Sequence, residues 1–196
     1  MKIGVLAGTI QGIVGFRFDM MLAFIARGHE VVALSALEKP ELKKILDSNG
    51  IRFEEINVDR KSLNPLKELS LIRELKKVFD AERFDAIIAF TPKVATYAAI
   101  ASKLSGIKKR VAVYTGLGIA FTADSVFDLL LKFPFRMVYG IGMRCATDVL
   151  FQNPDDMRLS ERFLMSNSAK NKLMNGSGVN LETFRFTNAP HDKVSF

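Results

Sequence analysis

The chain has one cysteine, two histidines and no charge-free run long enough to cross a bilayer. A single thiol, Cys145, cannot form an intrachain disulfide and fits a reducing compartment. His29 and His191 lie far apart with no second cysteine to join them, so a structural zinc site has no ligand set. The longest early charge-free run, Ile3–Phe16, is too short for a membrane span and is interrupted by Gly4, Gly8, Gly12 and Gly15. After Lys2 it has the outline of a signal peptide. Arg17 and Asp19 follow at once without a small-residue cleavage pattern, so the run is expected to belong to the folded chain. The dinucleotide fingerprint G-x-G-x-x-G and a Tyr-x-x-x-Lys pair are both missing, which counts against a nicotinamide-dependent enzyme. Internal repeats and low-complexity linkers are missing too.

What is present is a basic α/β pattern. The formal charge of +7 favours phosphate-bearing ligands, an anionic membrane surface or nucleic acid. The basic residues are spread rather than run together, so no nucleic-acid partner is expected. At 196 residues, 48% of them hydrophobic, the chain can form one sizeable α/β domain or two very small ones.

Lys2–Ala7 reads as a first strand, opening into the glycine-rich stretch Gly8–Gly15. A helix is expected from about Phe16 to Arg27 and a second strand over Glu30–Leu34. In such a βαβ unit a phosphate can sit on the helix N-terminus beside Gly8, Gly12, Gly15 and Arg17. Pro40–Ser48 reads as a short helix, Ile51–Val58 as a third strand, and Pro65–Phe79 as an amphipathic helix with Leu71, Ile72, Leu75, Val78 and Phe79 in one stripe.

Phe84–Thr122 is the organising stretch. Ala86–Phe90 and Val111–Tyr114 have the length and apolarity of buried parallel strands, with an Ala-rich crossover helix between them. Their carboxyl ends carry Thr91-Pro92-Lys93 and Thr115-Gly116-Leu117-Gly118, where open α/β sheets collect ligands. Asp124 or Ser125 can cap a helix containing Phe127 and Leu129–Leu131, and Pro134 suits the first turn of another, about Phe135–Ala146. Asp148–Gln152 is a further strand and Asn153 caps a helix opened by Pro154. A last strand over Lys172–Met174 ends in Asn175-Gly176-Ser177-Gly178. Gln152, Asn153 and this turn read mainly as capping and tight-turn residues. About seven strands with helices between them predict a doubly wound, mostly parallel, Rossmann-like sheet with helices on both faces.

In order and spacing these phrases resemble the amino-terminal half of a bacterial retaining glycosyltransferase of family 4, in the two-domain GT-B architecture. The matching residues are Val14-Gly15-Phe16-Arg17, Arg27-Gly28-His29-Glu30-Val31, Asp59-Arg60 with Asn64-Pro65, and Thr91-Pro92-Lys93. They continue through Thr115-Gly116-Leu117-Gly118 with Phe121-Thr122, Phe151-Gln152-Asn153-Pro154-Asp155-Asp156, and Asn175–Asn180 with Phe184. The branch it is most similar to extends lipid-linked units of capsule, O-antigen or glycan. The resemblance implies residues 1–186 as an acceptor-side domain and 187–196 as the start of a linker to a donor-binding domain. It implies transfer of a hexose or N-acetylhexosamine from a nucleotide sugar to a polyprenyl-diphosphate-linked saccharide, with retention and without a metal or other cofactor. The location implied is cytoplasmic, peripheral on the inner face of the plasma membrane.

For sites it implies a contact from Thr115 to the reacting donor sugar, and donor or acceptor binding by Gly8, Gly12, Gly15, Arg17, Thr91, Lys93, Gly116 and Gly118. The wider family often has histidine at the position of Thr115, whose hydroxyl can hydrogen-bond a sugar but carries no charge. Two other readings are a different Rossmann sugar-nucleotide enzyme, and a non-catalytic module docking on anionic lipid through Val126–Phe133.

Overall fold

The computed structural model describes residues 1–59, 64–117, 126–163 and 168–187. Seven parallel strands form one sheet in the order β3-β2-β1-β4-β5-β6-β7. They are β1 Lys2–Leu6, β2 Glu30–Ser35, β3 Arg52–Glu55, β4 Ala86–Phe90, β5 Lys109–Tyr114, β6 Asp148–Phe151 and β7 Asn171–Leu173. Between them run α1 Ile10–Phe16, α2 Phe18–Ala26, α3 Pro40–Ser48, α4 Pro65–Glu82, α5 Pro92–Leu104, α6 Val126–Cys145 and α7 Pro154–Phe163.

Alternation along the central strands sends neighbouring side chains into two cores. Val5, Val31 and Ala33 face a core closed by Ile10, Ile13, Met21 and Leu46 from α1–α3. Leu6, Val32 and Leu34 face the opposite core, which α4–α6 close with Leu75, Phe79, Ala98 and Met143. The expected doubly wound sheet is therefore present, with helices on both faces. The α4 stripe of Leu71, Leu75 and Phe79 is buried as its spacing predicts.

Helix α5 is enclosed almost all round, with Val94–Ala99, Ala101 and Ser102 buried. Its small residues let α6 come close: a Cβ on Gly142 would lie 2.8 Å from Thr96 Cα and 2.9 Å from its carbonyl oxygen. The hydroxyls of Thr96 and Tyr114 are 3.0 Å apart in this buried layer.

Three expectations need correction. The first helix begins six residues earlier than Phe16, because Thr9 caps it by accepting from Gly12 N at 3.0 Å. It then breaks at Arg17 (φ −121°, ψ −6°) before α2. Pro134 does not start a new helix but lies inside α6. Proline there removes one backbone donor, a cost of about 3 kcal/mol, while the following turns pack Gly142 and Met143 against α5. The third strand is shorter than expected, four residues rather than the whole of Ile51–Val58. The proposed caps Asp124 and Ser125 lie outside the described residues.

Candidate functional site

The strand order reverses direction beside β1, between β1 and β4, which is where a crevice opens at the carboxyl edge of such a sheet. A cleft of about 420 Å³ lies there. Five consecutive strands of the sheet contribute to it: Gly8, Thr9 and Gly12 follow β1, Thr91 follows β4, Thr115 follows β5, Gln152 follows β6 and Ser177 follows β7. Arg17, Phe16 and Phe90 complete its walls. Of the residues expected at the site, Gly8, Gly12, Arg17, Thr91 and Thr115 are thus brought together.

The others are placed differently. Gly15 is exposed within α1, away from the cleft lining. Gly116 follows Thr115 at φ 152°, a conformation that disfavours side chains although a Cβ would meet no atom within 4 Å. Gly118 lies outside the described residues. Lys93 turns away from Arg17 into a second cleft of about 530 Å³, bordered by Asn57, Asp59, Glu68 and Glu74. There its ammonium donates to Glu68 Oε1 at 2.7 Å and to the Asp59 carbonyl. Thr91 and Lys93 therefore face separate clefts across Pro92.

Arg17 is the one charged residue lining the first cleft among the described residues. It is 7% exposed and its ion-pair partners among the described residues are none. One guanidinium nitrogen donates to Ser177 Oγ at 2.9 Å, the group stacks 3.8 Å from the centre of the Phe90 ring, and Nε is buried without a partner. Burial pulls its pKa down from 12.5 to about 10, leaving it cationic at neutral pH. Its place at the break between α1 and α2 turns Arg17 inward rather than into solvent.

The expected phosphate cradle at the first helix is also altered. In α1 the Ile10 amide already donates to Ala36 O and the Gly12 amide to Thr9 Oγ1. The uncompensated positive charge in the cleft is a side chain, not a helix end. A buried cation without a counter-ion is an energetic liability that an anionic ligand relieves.

Two further features stand out. Thr91 has φ 72° and ψ 144°, an outlier for a β-branched residue, and makes no side-chain cap hydrogen bond to α5. The residue lines the cleft. Ser177 sits between Gly176 and Gly178, both at φ 75°. It accepts from Arg17 and, at 2.9 Å, from Gln152 Nε2. Sequence reasoning assigned Gln152 and Ser177 to capping and turns. Asn153 does cap α7, its Oδ1 accepting from Asp156 N at 2.7 Å, but Gln152 reaches the cleft. The serine between two glycines was the available signal. Among the described residues no group of three or more His, Cys, Asp or Glu side chains is placed to hold a metal ion.

The glycosyl transferase 4-like family model matches residues 13–153. No curated protein matches the chain. Among solved structures, a glycosyltransferase from Rickettsia africae is similar with TM-score 0.65 and 17% identity over 94% of this chain and 45% of its own. MurG from Acinetobacter baumannii has TM-score 0.58 and 17% identity, covering 91% of this chain and 46% of its own. A UDP-GlcNAc 2-epimerase from Neisseria meningitidis, bound to UDP-GlcNAc, has TM-score 0.59 and 15% identity over 88% and 46%. The chain thus spans about half the length of these structures.

Proposed function

We propose that this chain, which belongs to the glycosyl transferase 4-like family, is the acceptor-side half of a GT-B enzyme that transfers a sugar from a nucleotide donor. Residues 1–186 form that half and 187–196 lead toward a donor-binding domain. The observation that carries the reading is Arg17, a buried cation without a counter-charge facing a cleft at the sheet's switch point. It holds a phosphoryl group of the donor or of a diphosphate-linked acceptor, and offsets the negative charge that develops as the diphosphate leaves. Thr91 and Thr115 offer hydroxyls to the sugar from neighbouring strand ends.

The finer reading is transfer of a hexose or N-acetylhexosamine, with retention and without a metal, to a polyprenyl-diphosphate-linked saccharide of capsule, O-antigen or related glycan. An anionic membrane at the inner face of the plasma membrane is the partner. No helix among the described residues is long and apolar enough to cross a membrane. Helix α6 instead exposes Phe133, Met137 and Ile141 at helical spacing, which suits peripheral contact. The similar 2-epimerase structures support nucleotide-sugar binding by this fold, and the family match favours transfer over epimerisation.

The test is transfer from labelled nucleotide sugars to a polyprenyl-diphosphate saccharide by the gene's full-length product, with the anomeric configuration of the new linkage determined. Product with inverted configuration, or epimerised donor and no transfer, refutes the reading. Robust transfer by residues 1–196 alone refutes the two-half assignment.

A further inference from the structure

Ser177 lies in a loop that the family match over residues 13–153 does not reach, yet it is the hub of the cleft's polar contacts. A serine hydroxyl offers two acceptor lone pairs and one hydrogen. Its lone pairs are engaged by two N–H donors, one 160 residues away in sequence and one 25. One is a guanidinium nitrogen of Arg17 at 2.9 Å and the other Gln152 Nε2 at 2.9 Å. Both are donors, so the hydroxyl hydrogen is spent on neither. No described group receives it, and the residue lines the cleft.

We infer that Ser177 is a diphosphate-binding donor, its hydroxyl hydrogen aimed at an anionic oxygen that Arg17 neutralises, with Gln152 as the residue that orients it. The inference rests on the anion-binding reading of the cleft and goes beyond it by naming the neutral half of the clamp. Three observations converge. The Nε of Arg17 is buried and unpartnered, so the fold leaves the guanidinium's hydrogen-bonding capacity incompletely satisfied. The lining contains no carboxylate, so nothing in the cleft competes for these donors or repels an anion. The flanking glycines at φ 75° place Ser177 on a sharp turn that a side chain at either flank would strain, so the turn serves to present this one hydroxyl. Donation from Arg17 and Gln152 into Ser177 also polarises its O–H, strengthening the bond it makes onward.

The clamp is specific in kind. A phosphoryl oxygen accepts from both the guanidinium and the hydroxyl and compensates the charge, whereas a neutral sugar hydroxyl can accept a hydrogen bond but leaves the charge uncompensated. Two sources share this chemistry: the diphosphate of a nucleotide-sugar donor and that of a lipid-linked acceptor. Calorimetric titration with inorganic pyrophosphate, UDP and farnesyl diphosphate separates them, because the shared diphosphate term appears in all three and the preferred source binds tightest.

The expected result is binding of pyrophosphate by the wild type, loss of about tenfold or more in Ser177→Ala, and recovery in Ser177→Thr, which keeps the hydroxyl. Gln152→Ala should lose less, since it removes only the orienting donor. Arg17→Met should abolish binding. If Arg17→Met loses binding while Ser177→Ala keeps wild-type affinity, the role of Ser177 is refuted and the anion cleft stands. Absence of pyrophosphate binding in the wild type, or binding that survives Arg17→Met, overturns the cleft reading together with the inference. A merely structural serine would lower the unfolding midpoint in both Ser177 variants without a threonine rescue of affinity.

Discussion

Replacing Arg17 by methionine separates ligand binding from folding in a way that the buried position makes quantitative. Methionine keeps an unbranched stem of similar length and removes the charge. In the empty cleft the guanidinium gains a stacking contact with Phe90 at 3.8 Å, worth about 0.5–2 kcal/mol. It also gains the hydrogen bond to Ser177, about 1.5–3 kcal/mol for a charged donor. Against these stand a desolvation cost of several kcal/mol for an ion without a counter-ion and the unpartnered Nε. The opposing contributions are of similar size, so Arg17→Met should leave the ligand-free unfolding midpoint within about 2–4 °C of wild type, the shift that 1 kcal/mol causes in a domain of this size. Ligand changes the comparison. At a pyrophosphate concentration of about 100 times Kd, binding stabilises the wild type by about 2.7 kcal/mol, a rise of about 5–10 °C on the same scale. The variant should show none of that rise. Thermal melts followed by far-UV circular dichroism, with and without pyrophosphate, read both quantities. An equal ligand-induced rise in the variant refutes the assignment of Arg17 as the anion's partner. A fall above 10 °C in the ligand-free variant makes Arg17 a structural residue and refutes the balance of contributions.

Gly142→Ala should destabilise by about 1–3 kcal/mol, because the new Cβ would lie 2.8–2.9 Å from the Thr96 backbone and force α6 off α5; an unchanged denaturant midpoint would contradict that packing. Asp148 has its pKa lowered from 3.8 to about 2, chiefly by the hydrogen bond from Lys172, with Thr147 and Lys109 adding to it. The unfolded chain therefore binds the proton first, so the carboxylate's stabilisation is complete above pH 3.8 and lost as pH falls toward 2. Asp148→Asn should be less stable than wild type at pH 6 and converge with it near pH 2, as denaturant melts at each pH would reveal; parallel curves sink the argument. Thr91→Gly relieves a positive φ at a position without a cap hydrogen bond, and should raise stability by about 1 kcal/mol after glycine's own entropy cost. The same change should lower transfer about tenfold if the hydroxyl meets the sugar, and a variant that is both less stable and fully active refutes both halves of that statement.

What was legible in the sequence is what periodicity encodes. Ile87, Ala89 and Phe90 in β4 and Ala112–Tyr114 in β5 read as buried strands because the apolar runs are short, bounded by turn signals and of strand length, and all of these residues are buried. Their carboxyl ends then fall on one edge by topology alone, which is why Gly8, Thr91 and Thr115 group together from the sequence. What was not legible depends on the direction of a side chain at a break. Arg17 reads as a solvated cation at a helix start only if the helix begins at Phe16. Once Thr9 caps an earlier turn, the break falls on Arg17 itself, and its side chain is carried inward over Phe90. Lys93 shows the opposite case, a cation that the fold has paired. It lies just past the end of β4 as expected, but a buried carboxylate on α4, the helix that precedes β4, pairs with it. Glu68 lies among residues whose spacing marks only the apolar stripe, so periodicity gives no sign that this acid is 7% exposed and facing a lysine. The two cations, expected to share a role, differ for one reason: a charge is available to a ligand only where the fold has supplied no opposite charge. That is decided by which segments meet, and for Arg17 the segment that meets it is a serine between two glycines 160 residues away.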